Sequence, residues 1–205
     1  MTNHHITSIA QLEELYGLPA GAAVWKEIDH VSTEYGAFIA ASPFFALASN
    51  GPEGIDCSPR GDEPGFVRVA DPKTLMIPDR RGNNRIDTLR NIVRDPRVSL
   101  LFLIPGCGET IRVIGRASIS TDPALLESFV FAGKTPKSVI VVAVESVYFQ
   151  CSKAVVRSKL WDPSRLVDRK SLPSNGTILA AITKGEHGGE TYDAEYPERI
   201  KATIY

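Results

Sequence analysis

Cysteine is scarce in this chain: its three residues, Cys57, Cys107 and Cys151, lie far apart and form no C-x-x-C pair. A small, odd and dispersed set argues against a disulfide framework and a cysteine-rich zinc site, and it fits a reducing compartment. An excess of either charge is missing too. The 23 Lys and Arg against 24 Asp and Glu leave a formal net charge of −1, with the basic residues scattered, so no electrostatic footprint for nucleic acid or an anionic membrane exists. No stretch approaches the roughly 18 uninterrupted apolar residues that span a bilayer, and MTNHHITSIAQLEEL carries no apolar signal-peptide core. A soluble, cytoplasmic protein is the expectation. The glycosylation pattern Asn175-Gly176-Thr177 is discounted for want of a secretory signal, and His4-His5, adjacent at a terminus, reads as solvated rather than as a metal site.

Familiar catalytic signatures are absent as well. There is no G-x-x-x-x-G-K-[ST], no G-x-S-x-G and no H-E-x-x-H, and Gly106-Cys107-Gly108 lacks the last glycine of a dinucleotide fingerprint, which disfavours a Rossmann or P-loop enzyme. No internal repeat occurs. What remains is one core's worth of sequence: 205 residues, 43% hydrophobic, suit a single domain with helices added to a small barrel.

Strand patterns dominate the middle of the chain. Pro43 to Ser49 and Gly54 to Ser58 flank the turn Asn50-Gly51-Pro52 as a hairpin. Gly65 to Ala70, Thr74 to Pro78, Thr110 to Ser120 and Ser138 to Tyr148 follow as further strands. Val98 to Ile104 is nearly all apolar and reads as a strand buried on both faces, one of them needing an outside cover such as a second subunit. Helices are expected from Ser8 to Gly17, from Ala22 to Tyr35 with Trp25, Ile28 and Val31 inward, from Pro123 to about Phe131 with Asp122 as cap, and from Phe149 to Trp161. The tail after Asp162 reads as a mobile arm with one short helix at Ile178 to Thr183.

Two polar clusters stand out within the strand region. Ser58-Pro59-Arg60-Gly61-Asp62 closes one strand, and Asp79-Arg80-Arg81-Gly82-Asn83-Asn84-Arg85 precedes the helical spacing of Ile86, Leu89 and Val93, stopped by Asp95-Pro96. Asn84 as N-cap would leave free N–H groups at the helix start beside the donor fork of Arg85, a seat for phosphate. An ordinary capped surface helix explains the same spacing equally well.

From Phe44 to about Ser120 the sequence resembles the FMN-binding split-barrel family typified by pyridoxamine 5′-phosphate oxidase. SPRGDEPGFVRV, TLMIPDRRGNNR, LLFLIPG and ETIRVIGRA carry the resemblance, and they are most similar to its branch of uncharacterised flavoproteins. It implies a mainly β fold with flanking helices, a split β-barrel that binds FMN, with N-terminal helices over about 7–36 and a C-terminal helix and tail over about 149–205. It also implies a homodimer with the flavin at the interface. Carried onto this chain, Ser58 and Arg60 match the first wall strand, Ile77, Pro78 and Asp79 run beside the flavin, and Asn84 with Arg85 matches the phosphate-binding basic pair, next to Asn83. Asn84 is neutral where the family has a basic residue, which weakens the phosphate seat unless Arg80 or Arg81 reaches in. Thr110 falls where the family has a glutamine-type contact to the ring, and Arg157 and Trp161 would border the flavin.

The family's C-terminal substrate signature is matched only faintly by Leu160 to Arg169, with Val167 in the histidine position, so oxidation of pyridoxamine phosphate itself is not expected. The implied function is an FMN-dependent oxidoreductase acting on a small organic substrate, with a nicotinamide as candidate electron donor or oxygen as acceptor. The alternative is a non-catalytic protein that binds, stores or senses flavin. Catalytic residues are unassigned, and the resemblance leaves open whether a deazaflavin takes the place of FMN. A haem-binding barrel is disfavoured because no histidine lies between His30 and His187.

Overall fold

Alternating burial along the strands sets the architecture. In the computed structural model, which describes residues 4–205, the strands are Phe44–Gly51 (β1), Gly54–Gly61 (β2), Arg68–Asp71 (β3), Thr74–Pro78 (β4), Arg97–Leu103 (β5), Thr110–Ser120 (β6) and Val139–Gln150 (β7). They form one seven-stranded sheet in the order β2-β1-β5-β6-β7-β4-β3, and every pairing is antiparallel. Five ladders separate β2 from β4, yet Arg60 at the end of β2 lies 3.7 Å from Asp79 just beyond β4. The sheet therefore curls into an open barrel.

The barrel interior is filled from β1, β4, β5, β6 and β7, and neither edge strand, β2 or β3, adds a buried residue. Phe45, Leu47, Leu75, Ile77, Leu100, Val113, Ile140, Val142 and Val147 are fully buried, and Phe45 packs its ring 4.9 Å from Phe102 and 5.8 Å from Phe66. Helix Asp87–Arg94 packs on β1, β2 and β6 through buried Thr88, Asn91 and Ile92, with Asn91 Nδ2 donating to Ser49 Oγ at 3.1 Å. Gly51 permits that approach, because a Cβ there would sit 2.3 Å from Asn91 Oδ1.

Several expectations need correction. The run at Arg97–Leu103 is not buried on both faces: Val98, Leu100 and Phe102 point into the core, whereas Ser99, Leu101 and Leu103 are half-buried on the outside. The expected helix over residues 22–35 breaks into Ala22–Trp25 and Thr33–Ala41, because Ile28 pairs with Val147 as an isolated bridge and Ser32 caps the second piece by accepting from Tyr35 N. Val31 is buried as expected, but Trp25 is 79% exposed and covers nothing. The helix after Asp122 is shorter than expected, Pro123–Glu127, and Phe149 and Gln150 belong to β7. Helix Lys153–Ser158 follows. The tail is largely helical rather than a loose arm, with Asn175–Ile182 and Gly189–Thr203 packed on each other as a hairpin. No helix among the described residues is long and apolar enough to cross a membrane.

Gly115 marks the bulge where β6 slips register against β7, and a Cβ there would lie 2.2 Å from the carbonyl oxygen of Ala143. Backbone must shift to admit any side chain. Gly115→Ala is expected to lower stability by about 2 kcal/mol, the usual range for overpacking, read as a fall in urea midpoint at unchanged slope. An unchanged midpoint would mean the β6–β7 spacing yields at no cost.

Candidate functional site: a basic cavity at the open edge of the barrel

A strand's side chains alternate between faces, and on β2 the inward set is polar. Asp56, Ser58 and Arg60 stand opposite Ser49, Leu47 and Phe45 of β1, positions that in a closed barrel would carry apolar residues. Instead they line a cavity of about 1030 Å³. Its other walls are the loop from Asp79 to Ile86, the start of the helix at Asp87, and the segment Phe131–Ser138 that leads into β7, with Tyr205 at the rim. Six cationic side chains, Arg60, Arg80, Arg81, Arg85, Lys134 and Lys137, face three carboxylates, Asp56, Asp79 and Asp87.

These charges are not equally available. Arg80 is committed: its Nε donates to Asp62 Oδ2 at 2.6 Å and its Nη1 to the Phe129 carbonyl at 2.9 Å, and the Asp62 side chain is 1% exposed. Arg80 therefore ties the loop to the end of β2. Arg85 donates to Asp87 Oδ2 at 2.7 Å and is largely exposed at the mouth. Arg60 differs from both. Its Nη2 is 3.7 Å from Asp79 Oδ1, too long for a hydrogen bond, and its buried Nε has no acceptor among the described residues. A buried guanidinium donor left without a partner costs free energy. Asp79 responds to the same enclosure: burial raises its pKa, outweighing the attraction of Arg60 and Lys137.

The helix start differs from expectation. Asn84 is not the N-cap; it sits at φ 62, and Ile86, at φ 55, precedes Asp87–Arg94 with no side-chain cap. Asn83 takes the turn-forming role, its Oδ1 accepting from Arg85 N at 3.0 Å. The first helical residue is Asp87, a carboxylate that itself occupies the positive end.

Of the residues singled out from the sequence, Ser58, Arg60, Asp79, Asn83, Asn84 and Arg85 converge on the cavity. Ile77 and Pro78 do not: both are buried in β4, paired with Ile140 and Val139, and serve to aim Asp79. Thr110, Arg157 and Trp161 lie away from the cavity lining. Thr110 opens β6 opposite Gln150, Arg157 is exposed in the last turn of its helix, and Trp161 Nε1 donates to the Cys107 carbonyl at 2.6 Å. Lys134, Lys137, Ser138 and Tyr205 were missed. The basic run Gly-Lys-Thr-Pro-Lys at 133–137 was the one sequence signal for the first two.

The curled antiparallel sheet, with a polar inner edge strand and a basic cavity where the sheet fails to close, defines a split barrel. Residues 31–151, more than half of the chain, match the family described as pyridoxamine 5′-phosphate oxidase, and the chain belongs to that family. No curated protein matches it. Solved structures with a similar fold include HupZ of Group A Streptococcus, at 20% identity and TM-score 0.49 over 60% of this chain and 95% of that one. A protein from Clostridium acetobutylicum related to general stress protein 26 is 14% identical, with TM-score 0.44 over 58% and 86%. An FMN-binding protein from Syntrophomonas wolfei is 13% identical, with TM-score 0.43 over 55% and 80%. None of these likenesses bears on substrate.

Asp79 gives the site a pH signature. A carboxyl whose folded pKa lies above its unfolded value binds more protons in the native state, so its contribution to stability falls as pH rises from the ordinary carboxylate range through the raised value. Asp79→Asn is expected to remove that slope and leave the protein at pH 7 at least as stable as wild type in chemical denaturation. A loss above about 1 kcal/mol would mean that pairing with Arg60 outweighs the burial of the charge.

Proposed function

We propose that the chain is a flavoprotein that holds the FMN phosphate in the basic cavity and works as an oxidoreductase on a small organic molecule. The observation that carries this reading is a cavity lined by Arg60 and five further cationic side chains, in which cations outnumber carboxylates two to one. Arg60 and Ser58 on β2, Asn83, Asn84 and Arg85 on the loop, and Lys137 with Ser138 opposite would hold the phosphate. Charge-assisted bonds from guanidinium and ammonium are the strongest available to it. Family membership supports a flavin as the anion's carrier.

FMN when bound supplies the hydride and single-electron chemistry. The chain's own residues bind, orient and enclose. Burial raises the pKa of Asp79 against the pull of Arg60 and Lys137, which softens its repulsion of a phosphate beside it. The chain works as a homodimer, and a second copy brings Thr110, Arg157 and Trp161 to the ring. The half-buried outer face of β5 at Ser99, Leu101 and Leu103 supports that arrangement. A reduced nicotinamide is the candidate donor. Pyridoxamine phosphate is not the substrate assigned, because Val167, in place of the family's histidine, is 69% exposed and offers no donor.

Purified protein should be yellow or take up FMN to give a flavin spectrum. Arg60→Ala is expected to weaken FMN binding by ten- to a hundredfold, equivalent to about 1.5–3 kcal/mol for a charge-assisted bond, and to change riboflavin binding little. Arg85→Ala, which removes an exposed group already paired with Asp87, should cost only a few-fold. Equal FMN affinity in wild type and Arg60→Ala would end the assignment.

Sedimentation should show a dimer at micromolar concentration. A strictly monomeric protein that still binds FMN would remove Thr110, Arg157 and Trp161 from the site.

A further inference from the structure

We propose that Tyr205 latches the C-terminal helical hairpin beside the basic cavity, so that helix Gly189–Thr203 is a strap held at its end and Tyr205 itself one wall of the site. The hairpin is internally well made. Asp193 accepts from Gly176 N at 2.8 Å and from the Ser174 hydroxyl, and a Cβ at Gly176 would meet the Gly189 carbonyl at 2.3 Å, so the two helices sit backbone to backbone. Its hold on the barrel is slight by comparison. Neither Asn175–Ile182 nor Gly189–Thr203 packs broadly on any strand, and Gly189–Thr203 buries none of its residues.

Tyr205 supplies what the helices lack. Its hydroxyl donates to Asp62 Oδ1 at 2.9 Å, its ring lies 4.8 Å from that of Phe131, and its main-chain oxygen accepts from Lys134 Nζ at 2.6 Å. All three partners belong to the cavity's frame. Asp62 is the buried carboxylate that also takes Arg80 Nε and Glu63 N. Phe131 and Lys134 pair with each other through both main-chain hydrogen bonds around Ala132 and Gly133, both at positive φ, a tight primed-type turn that presents the ring and the ammonium together. The bond to Asp62 pushes the Tyr205 phenol above its ordinary pKa and keeps it a donor.

The cavity still measures about 1030 Å³ with Tyr205 in place, at the upper end of the range for small-molecule sites, so a ligand fits with the strap latched. Tyr205 therefore borders a ligand instead of competing with it. Lys134 has three donors, and the one spent on Tyr205 leaves others for an anion. The ligand named here rests on the flavin reading above; the latch does not.

Limited trypsin digestion of the whole, ligand-free protein tests the latch, with Arg199 and Lys201 of the strap as reporters. Tyr205→Ala should speed cleavage there about tenfold, since the bond to Asp62 and the ring contact with Phe131 are lost while the main-chain oxygen facing Lys134 stays. Tyr205→Phe, which keeps the ring contact and loses only the bond to Asp62, should fall between. Equal cleavage in wild type and Tyr205→Ala would overturn the latch. Stopped-flow dissociation of FMN tests the wall: release should be about tenfold faster from Tyr205→Ala, and equal release rates would remove Tyr205 from the site. Wild-type protein that takes up no FMN would end the flavin reading and the wall with it, and the ligand-free digestion would still decide the latch.

Discussion

Strand geometry forces the site into existence. Because side chains alternate strictly between faces, placing Asp56, Ser58 and Arg60 on the inner face of β2 means that the barrel cannot end there as a dry core. The polar set must meet water, counter-charges or a ligand. Those needs are met by curling the sheet until the end of β4 arrives with Asp79, by laying a loop of arginines and asparagines over the gap, and by packing helix Asp87–Arg94 on the barrel beside it. Apolar β1, β5 and β6 make the curl affordable, since their buried residues supply the stability that an open edge forgoes.

The charges around that gap divide into structural and available groups, and the division follows burial. Arg80 and Asp62 form a tight pair in which Asp62 is almost wholly enclosed and accepts from a main-chain N–H as well. Such a pair is held by geometry and full satisfaction more than by net electrostatic gain, and breaking it would strand a buried charge. Arg60, by contrast, has no acceptor for Nε among the described residues and sees Asp79 only at long range. One guanidinium fixes the frame and the other waits inside it.

How much of this could be read from the sequence depends on range. Strands Thr74–Pro78 and Thr110–Ser120 have the bounds expected of them, because their apolar alternation and the proline and turn residues around them are local signals. Asp122 caps its helix as expected for the same reason, and of the two candidates Thr7 and Ser8 it is Ser8 that caps the first helix. The cap at Asn84 was misplaced because left-handed backbone at Asn84 and Ile86 delays the helix by one turn-forming step, which composition alone does not reveal. Trp25 was misjudged because period and hydrophobicity cannot say whether anything lies opposite. The commitment of Arg80 to Asp62 joins residues 18 apart, and that of Tyr205 to Asp62 joins residues 143 apart, so neither pairing leaves a trace in any window of sequence.

Helix Gly189–Thr203 was illegible for a different reason. It begins at a glycine pair, carries Pro197 inside it and buries none of its residues, so it shows no apolar stripe. A helix with no buried face gains little from packing, and its position has to come from its ends. At one end the hairpin contacts of Asp193 fix it to Asn175–Ile182; at the other Tyr205 fixes it to Asp62, Phe131 and Lys134. Both Tyr205 and Arg80 converge on Asp62, which makes a single buried carboxylate the point where the loop over the cavity, the end of β2 and the strap meet. Elements that share one such anchor respond together, because any displacement of the carboxylate is felt by each of its donors. The lining of the cavity and the strap beside it are thus joined through one carboxylate and one ring contact, that of Tyr205 with Phe131.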